Sequence, residues 1–290
     1  MQQVILSAVL MWMVFAVALD LKVEDFRRVA AMPRLILVGL LPQFLWLPIA
    51  TWLITLAVEL PTSWEAAMLL VACCPGGSMS NVITHLGRGN TALSVSLSAV
   101  SGVLAIVLTP LNFAWTMASN PATAMWLREL ALSPFDLLVS LVLLLALPMI
   151  AGMSVARRYA DWASRWRDPL RRLSVSALGV FIVLGLYRDR ELLTAAILLP
   201  LMVVIGHNAL GLSLGALTAR AFRLTAADGR AVIVEAGMQN AGLALGIIAL
   251  QFDGELGMVI LASLWGIWHL ISGLALASRW RRRETREETR

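Results

Sequence analysis

Charge is what this chain has least of. Asp, Glu, Lys and Arg make up 14% of its 290 residues, against 59% hydrophobic ones, and none of the long apolar runs holds a Lys or Arg. With a mean hydropathy of +0.81, a water-soluble domain could not be covered in polar surface, so the chain belongs in a bilayer. Nor is any polar stretch long enough to build a separate soluble core. Cysteine is equally scarce. Cys73 and Cys74 are adjacent within apolar sequence, which excludes a disulfide framework and a metal-binding spacing. The isoelectric point near 10.2 does not indicate nucleic acid, because the arginines fall between apolar runs rather than in one patch.

Nine apolar segments can be marked, at Val4–Leu19, Leu35–Val58, Ala66–Leu86, Ala92–Trp115, Phe135–Val155, Leu173–Tyr187, Leu192–Thr218, Ala231–Leu250 and Leu256–Ala277. A membrane span needs about 20 residues, so the first and sixth are short. The first also has a rival reading as a signal peptide, with Ala16-Val17-Ala18 as a cleavage site. Against that, Met1-Gln2-Gln3 carries no positive charge, and cleavage would leave Lys22, Arg27, Arg28 and Arg34 outside. A retained span is the expectation.

Basic residues then set the orientation. With the N-terminus outside, only Arg128, Arg188 and Arg190 of the 23 basic residues lie outside. The other twenty lie inside, including the basic tail at 279–290. The asymmetry predicts an outside N-terminus, a cytoplasmic C-terminus and residence in the inner (plasma) membrane.

Two polar interruptions organise the rest. The first is Cys73-Cys74-Pro75-Gly76-Gly77-Ser78-Met79-Ser80-Asn81 and the second Glu235-Ala236-Gly237-Met238-Gln239-Asn240-Ala241-Gly242. Proline removes a backbone donor and glycine makes regular helix costly. Freed backbone groups at membrane depth are tolerated only inside protein or beside a wet cavity. In the topology above, the third segment runs inward and the eighth outward. Antiparallel broken helices, one in each half, point to a transporter's binding site in an inverted repeat. The expected fold is therefore an all-α polytopic membrane protein of about nine spans.

Glu235 is the carboxylate that lies within an apolar segment and beside a break, whereas Glu65 and most other acids sit at segment ends or in loops. An ionisable group there is costly and by default functional; the bland alternative is a protonated or structurally paired carboxyl. Ser94, Ser98 and Ser101 share one helix face, which fits a polar site or simple packing between helices. His207 and His269 read as ligands or, more commonly, as hydrogen-bonded structural histidines. Ser78 and Asn240 occupy matching points just after the two breaks, where helix N-termini attract anions without any arginine.

The run Cys74-Pro75-Gly76-Gly77-Ser78-Met79-Ser80-Asn81-Val82-Ile83-Thr84, continued by Gly89-Asn90-Thr91-Ala92-Leu93-Ser94-Val95-Ser96, resembles the first crossing-helix motif of the bile acid:sodium symporter family. Leu108-Thr109-Pro110 resembles the close of that family's next helix, and Glu235 to Ala244 its second crossing motif. His207-Asn208 and Trp268-His269 also have counterparts, and the likeness extends from Met11 to Ser278. It implies a panel domain (about 4–19, 135–155 and 173–187) and a core domain (about 35–115 and 192–277). Met13 to Phe26 resembles the end of the family's second helix, so a first helix would be missing, in keeping with nine spans. The resemblance further implies two sodium sites. One would use Ser80, Asn81, Ser94, Ser98 and Glu235. The other would use Gln43, Gln239, the Glu235 side chain and backbone carbonyls near Ala236 and Met238. Some members have asparagine after the Trp-His pair where this chain has Leu270, so bile acids as such do not follow.

The function expected is sodium-coupled symport of a small or amphipathic organic anion by alternating access. Ser78, Asn240 and His269 would face the substrate, with sodium, the anion and lipid as partners. No enzymatic cofactor, nucleic acid or obligatory oligomer is expected. A proton-coupled or uncoupled carrier is the runner-up. An intramembrane hydrolase using Ser78 or Ser80 with His207 or His269 is weaker, because Gly77-Ser78-Met79-Ser80 lacks the Gly-x-Ser-x-Gly elbow.

Overall fold

The computed structural model describes residues 8, 11–12, 14–16, 18–19, 29–130, 133–188 and 197–288. Regular structure among them is helical throughout. Helix α1 spans Pro33–Ala57 and contains a π turn at Pro42–Trp46. The first broken helix follows as α2, Thr62–Cys73, and α3, Ser78–Leu86. Next come α4 at Thr91–Ser119 and the short α5 at Pro121–Glu129. Helices α6 (Pro134–Arg158), α7 (Ala160–Arg188) and α8 (Leu198–Ala221) lead to the second broken helix. Its halves are α9, Ala226–Gly237, and α10, Ala241–Gln251. Helix α11, Leu256–Glu288, closes the chain.

Six stretches are long and apolar enough to cross a membrane: α1, α4, Phe135–Arg158, α8, the α9–α10 pair and Leu256–Arg283. The other three expected segments differ for physical reasons. The third is cut by its break, leaving α2 as a shorter apolar helix. The sixth is the second half of α7, whose first half carries Arg165, Arg167, Arg171 and Arg172. The first, with Met13–Phe26, lies largely outside the described residues. Val14 and Ala18 do join the main core cluster with Leu137, Leu141 and Met149 of α6.

At the two breaks, the backbone groups that regular helix would satisfy have other partners. Thr109 of α4 donates to the Cys73 carbonyl (2.6 Å), and the Asn240 amide to that of Cys74 (3.0 Å). Asn208 of α8 donates to the Gly237 carbonyl (2.7 Å), and Gln239 Nε2 to that of Ala236 (3.1 Å). In hydrocarbon each orphan would cost several kcal/mol, so these residues let the chain break here. The breaks also touch each other. A methyl on Gly76 would collide with the Met238 carbonyl oxygen and lie 3.3 Å from Glu235 Oε2. The glycine is needed for close approach, not for an unusual backbone conformation.

Helix α9 is held against α8 by the same device repeated along one face. Gly211 and Gly215 lie four residues apart, and a Cβ on either would press on α9 at 2.8 Å, from the Ala236 carbonyl and Ile233 Cα respectively. Small residues at this spacing let membrane helices approach to backbone contact. At the opposite wall, Trp265 Nε1 donates to His207 Nδ1 (3.0 Å), so His207 Nε2 carries the proton toward Thr51 Oγ1 (2.8 Å). Thr51 in turn donates to the Leu47 carbonyl (2.7 Å). Every proton in this chain is assigned, and it ties α1, α8 and α11 together.

Candidate ion site between the two broken helices

Glu235 lies in the last turn of α9, fully buried. Its Oε1 is 2.6 Å from Ser80 Oγ of α3 and 2.7 Å and 3.0 Å from Ser94 and Ser98 Oγ of α4. Asn81 Oδ1 sits 2.8 Å from Ser94 Oγ and 3.2 Å from Ser98 Oγ. Ser80 Oγ also meets the Gly77 carbonyl at 2.7 Å and Ser98 Oγ at 3.3 Å. Seven oxygen–oxygen contacts therefore share three hydroxyl protons. At most three can be hydrogen bonds at once, since each hydroxyl has one proton to give. The remaining lone pairs face one another around an anionic oxygen, an arrangement a hard cation would stabilise. Ser101 shares the α4 face but donates to the Ser98 carbonyl instead (3.3 Å).

The residues expected at a second site show the same excess of acceptors. Gln43 Oε1, Gln239 Oε1 and Glu235 Oε2 are all buried with no hydrogen-bond donor among the described residues. Gln43 lies in the π turn, where Leu47 N bonds to the Pro42 carbonyl. The turn arises where Pro42 has no N–H to give. Its amide Nε2 donates to the Gly39 carbonyl (3.2 Å), leaving the oxygen free. Buried acceptors left unpaired cost about 1–3 kcal/mol each. Sodium fits both donor sets in chemistry, being a hard cation that takes neutral and anionic oxygen. Of the backbone ligands, the Ala236 carbonyl accepts from Gln239, and the Met238 carbonyl abuts Gly76.

The proposed substrate contacts fall less tightly together. Ser78 opens α3, but its side chain lies outside the described residues. No side chain caps the start of α3 by a hydrogen bond. Asn240 caps α10 by accepting from Leu243 N (3.0 Å), while its Nδ2 is 3.9 Å from a Cβ placed on Gly77. His269 turns back on its own helix, Nδ1 2.9 Å from the Trp265 carbonyl. Leu270 packs with Ile83, Val234, Met238 and Ala277 behind the breaks. Sequence reasoning missed Glu65, which is buried with Asn120 Nδ2 3.1 Å from its Oε2. Thr55 completes that group, 3.1 Å from Asn120 Nδ2. The hydropathy edge at Ala66 hid it, because α2 begins earlier, at Thr62.

The sequence model of the sodium bile acid symporter family matches residues 7–196. The chain is 30% identical over 275 residues to an uncharacterized sodium-dependent transporter, YocS, of Bacillus subtilis, covering 94% of this chain and 82% of that one. It is 29% identical to a probable chloroplastic sodium/metabolite cotransporter, BASS1, of Arabidopsis thaliana, covering 91% and 63%. To the human ileal sodium/bile acid cotransporter it is 27% identical, covering 87% and 70%. By their names these relatives are transporters rather than enzymes. With a family match over most of its length and a multi-pass helical architecture around two broken helices, the chain belongs to the sodium bile acid symporter family.

Proposed function

We propose that the protein is a sodium-driven symporter of a small or amphipathic organic anion, working by alternating access. The observation that carries this reading is the crowding of Ser80, Asn81, Ser94 and Ser98 around Glu235 Oε1. One sodium ion would bind there and a second among Gln43, Gln239 and Glu235 Oε2. Glu235 faces both, so its single negative charge would offset part of the charge of each. Because the ligands come from α3, α4, α9 and the π turn of α1, bound sodium would draw the two breaks together. The uncapped start of α3 and the start of α10 would then hold the carboxylate or sulfonate of the substrate. Ser78 and Asn240 add donors there, and His269 is a weaker candidate at the cavity edge.

In this reading the chain has nine spans in an inverted repeat. The panel is formed by the first segment with α6 and the second half of α7, and the core by residues of about 35–115 and 192–277. The panel and core rock against each other around the fixed site. Purified protein in liposomes should take up a metabolite carboxylate when sodium is high outside. The corresponding amide should fail to compete. Uptake that follows an imposed proton gradient with sodium absent would favour the proton-coupled alternative, and equal competition by acid and amide would sink the anion reading.

The orientation places Arg88, Arg223 and the basic tail in the cytoplasm of the inner membrane. Both native cysteines are buried, so single introduced cysteines report cleanly. An impermeant maleimide applied to intact cells should label Glu129→Cys and spare Ala227→Cys. The reverse pattern would invert the topology.

A further inference from the structure

A cavity of about 420 Å³ opens where the ends of α8, α9 and α11 meet, and none of the ion-site residues lines it. Arg220 and Arg223 reach it from the end of α8 and the turn beyond, Arg230 from α9 and Arg283 from α11. Among the described residues no carboxylate lines it. Arg230 is part of the wall: it donates to the Gly87 and Arg88 carbonyls (3.1 Å and 3.3 Å) and lies over the Trp280 ring at 5.7 Å. Arg220, Arg223 and Arg283 are exposed around the opening. Arg223 is the left-handed residue that closes α8, φ 51°, with Leu224 N bonded back to the Ala219 carbonyl (2.9 Å). The start of α9 also lines the cavity at Thr225 and Ala226; Thr225 caps that helix and donates to Asp228 Oδ2 (2.7 Å), which answers the dipole there. Ala216, Ala219, Leu224 and Ile233 supply an aliphatic part of the lining.

Guanidinium groups from separate elements around one opening match phosphate geometry, since each fork can bond two oxygens. An aliphatic wall beneath them is wasted on a bare inorganic ion but suits the carbon skeleton of an ester. We propose that this cavity binds a phosphate ester, its phosphoryl oxygens on Arg220, Arg223 and Arg283 and its carbon skeleton against Leu224 and Ile233. A membrane protein meets that chemistry as an anionic phospholipid headgroup, for which basic pockets between helices are suited, or as a soluble phosphorylated metabolite.

The test uses the full-length protein in neutral detergent, with native mass spectrometry and melting temperature as readouts. Probes are short-chain phosphatidylglycerol, short-chain phosphatidylcholine and glycerol 3-phosphate. Phosphatidylglycerol should bind at least about tenfold more tightly than phosphatidylcholine. The triple variant Arg220→Gln/Arg223→Gln/Arg283→Gln should lose that preference. The charge-matched control Arg157→Gln/Arg158→Gln/Arg172→Gln should keep it. If the triple variant does not fold, Arg283→Gln alone, on an exposed late turn of α11, should still weaken binding measurably. Arginine-dependent binding of glycerol 3-phosphate at concentrations similar to the lipid assigns the soluble source, and binding of the lipid alone assigns the headgroup. Failure of all probes to bind, or equal losses in the triple variant and the control, overturns the proposal.

Discussion

Glu235→Gln should abolish sodium-dependent uptake while leaving a folded protein. The amide oxygen can still accept from Ser80, Ser94 and Ser98, which lie 2.6–3.0 Å from Oε1, so packing survives. What disappears is the negative charge beside both proposed ions. Removing one partner of a buried charge pair costs about 3–5 kcal/mol, on the order of a hundredfold or more in affinity. Ser94→Ala or Ser98→Ala should be milder, because each removes one neutral ligand and leaves the carboxylate. Initial uptake rates against sodium concentration read this directly. A Glu235→Gln protein with normal uptake and an unchanged sodium curve would falsify the coupling model.

The second large effect is expected at Gly76→Ala. A methyl there meets the Met238 carbonyl oxygen, which belongs to backbone pinned between the Gly237 and Asn240 hydrogen bonds. Neither break can retreat without losing those partners, so the substitution should cost about 1–3 kcal/mol of stability as an overpacked contact. It should also reduce transport more than that loss explains, because it pushes Glu235 Oε2, 3.3 Å away, from its place. Gly102→Ala and Gly206→Ala are the controls, since a Cβ at either position meets nothing within 4 Å. Melting curves and uptake measured on all three variants separate the readings. Gly76→Ala behaving like Gly102→Ala would mean that the breaks are not in the close contact described.

What the sequence disclosed followed from chemistry that is local along the chain. Glu235 stood out because a carboxylate amid Val232, Ile233 and Val234 has no inexpensive explanation, and the glycines and Pro75 marked the breaks as breaks. Ser94 and Ser98 were legible as one face, but their convergence on Ser80 and Asn81 needed the crossing of α3 over α4. The partners that make the breaks tolerable were not legible. Thr109 and Asn208 lie in other helices, and nothing local says that a mid-helix threonine or asparagine serves a distant carbonyl. Glu65 was passed over because it lay just outside a hydropathy window, although Thr55 and Asn120 enclose it. Within the basic tail expected at 279–290, helix α11 continues to Glu288, since arginine and glutamate are good helix formers and charge alone does not end a helix. The arginine-lined cavity was invisible for a related reason, its four cations coming from three separate stretches.

The central claim is that sodium binds at the Glu235 cluster and joins the two broken helices. Sodium-dependent thermal stability of the purified protein, at constant ionic strength with choline as the replacement cation, tests it most directly. Wild-type protein should melt at progressively higher temperature as sodium replaces choline, and potassium should not substitute. Glu235→Gln should show no sodium-dependent shift, and Ser94→Ala should need more sodium for the same shift. Identical melting in sodium and choline, or a full sodium shift retained in Glu235→Gln, would contradict the account.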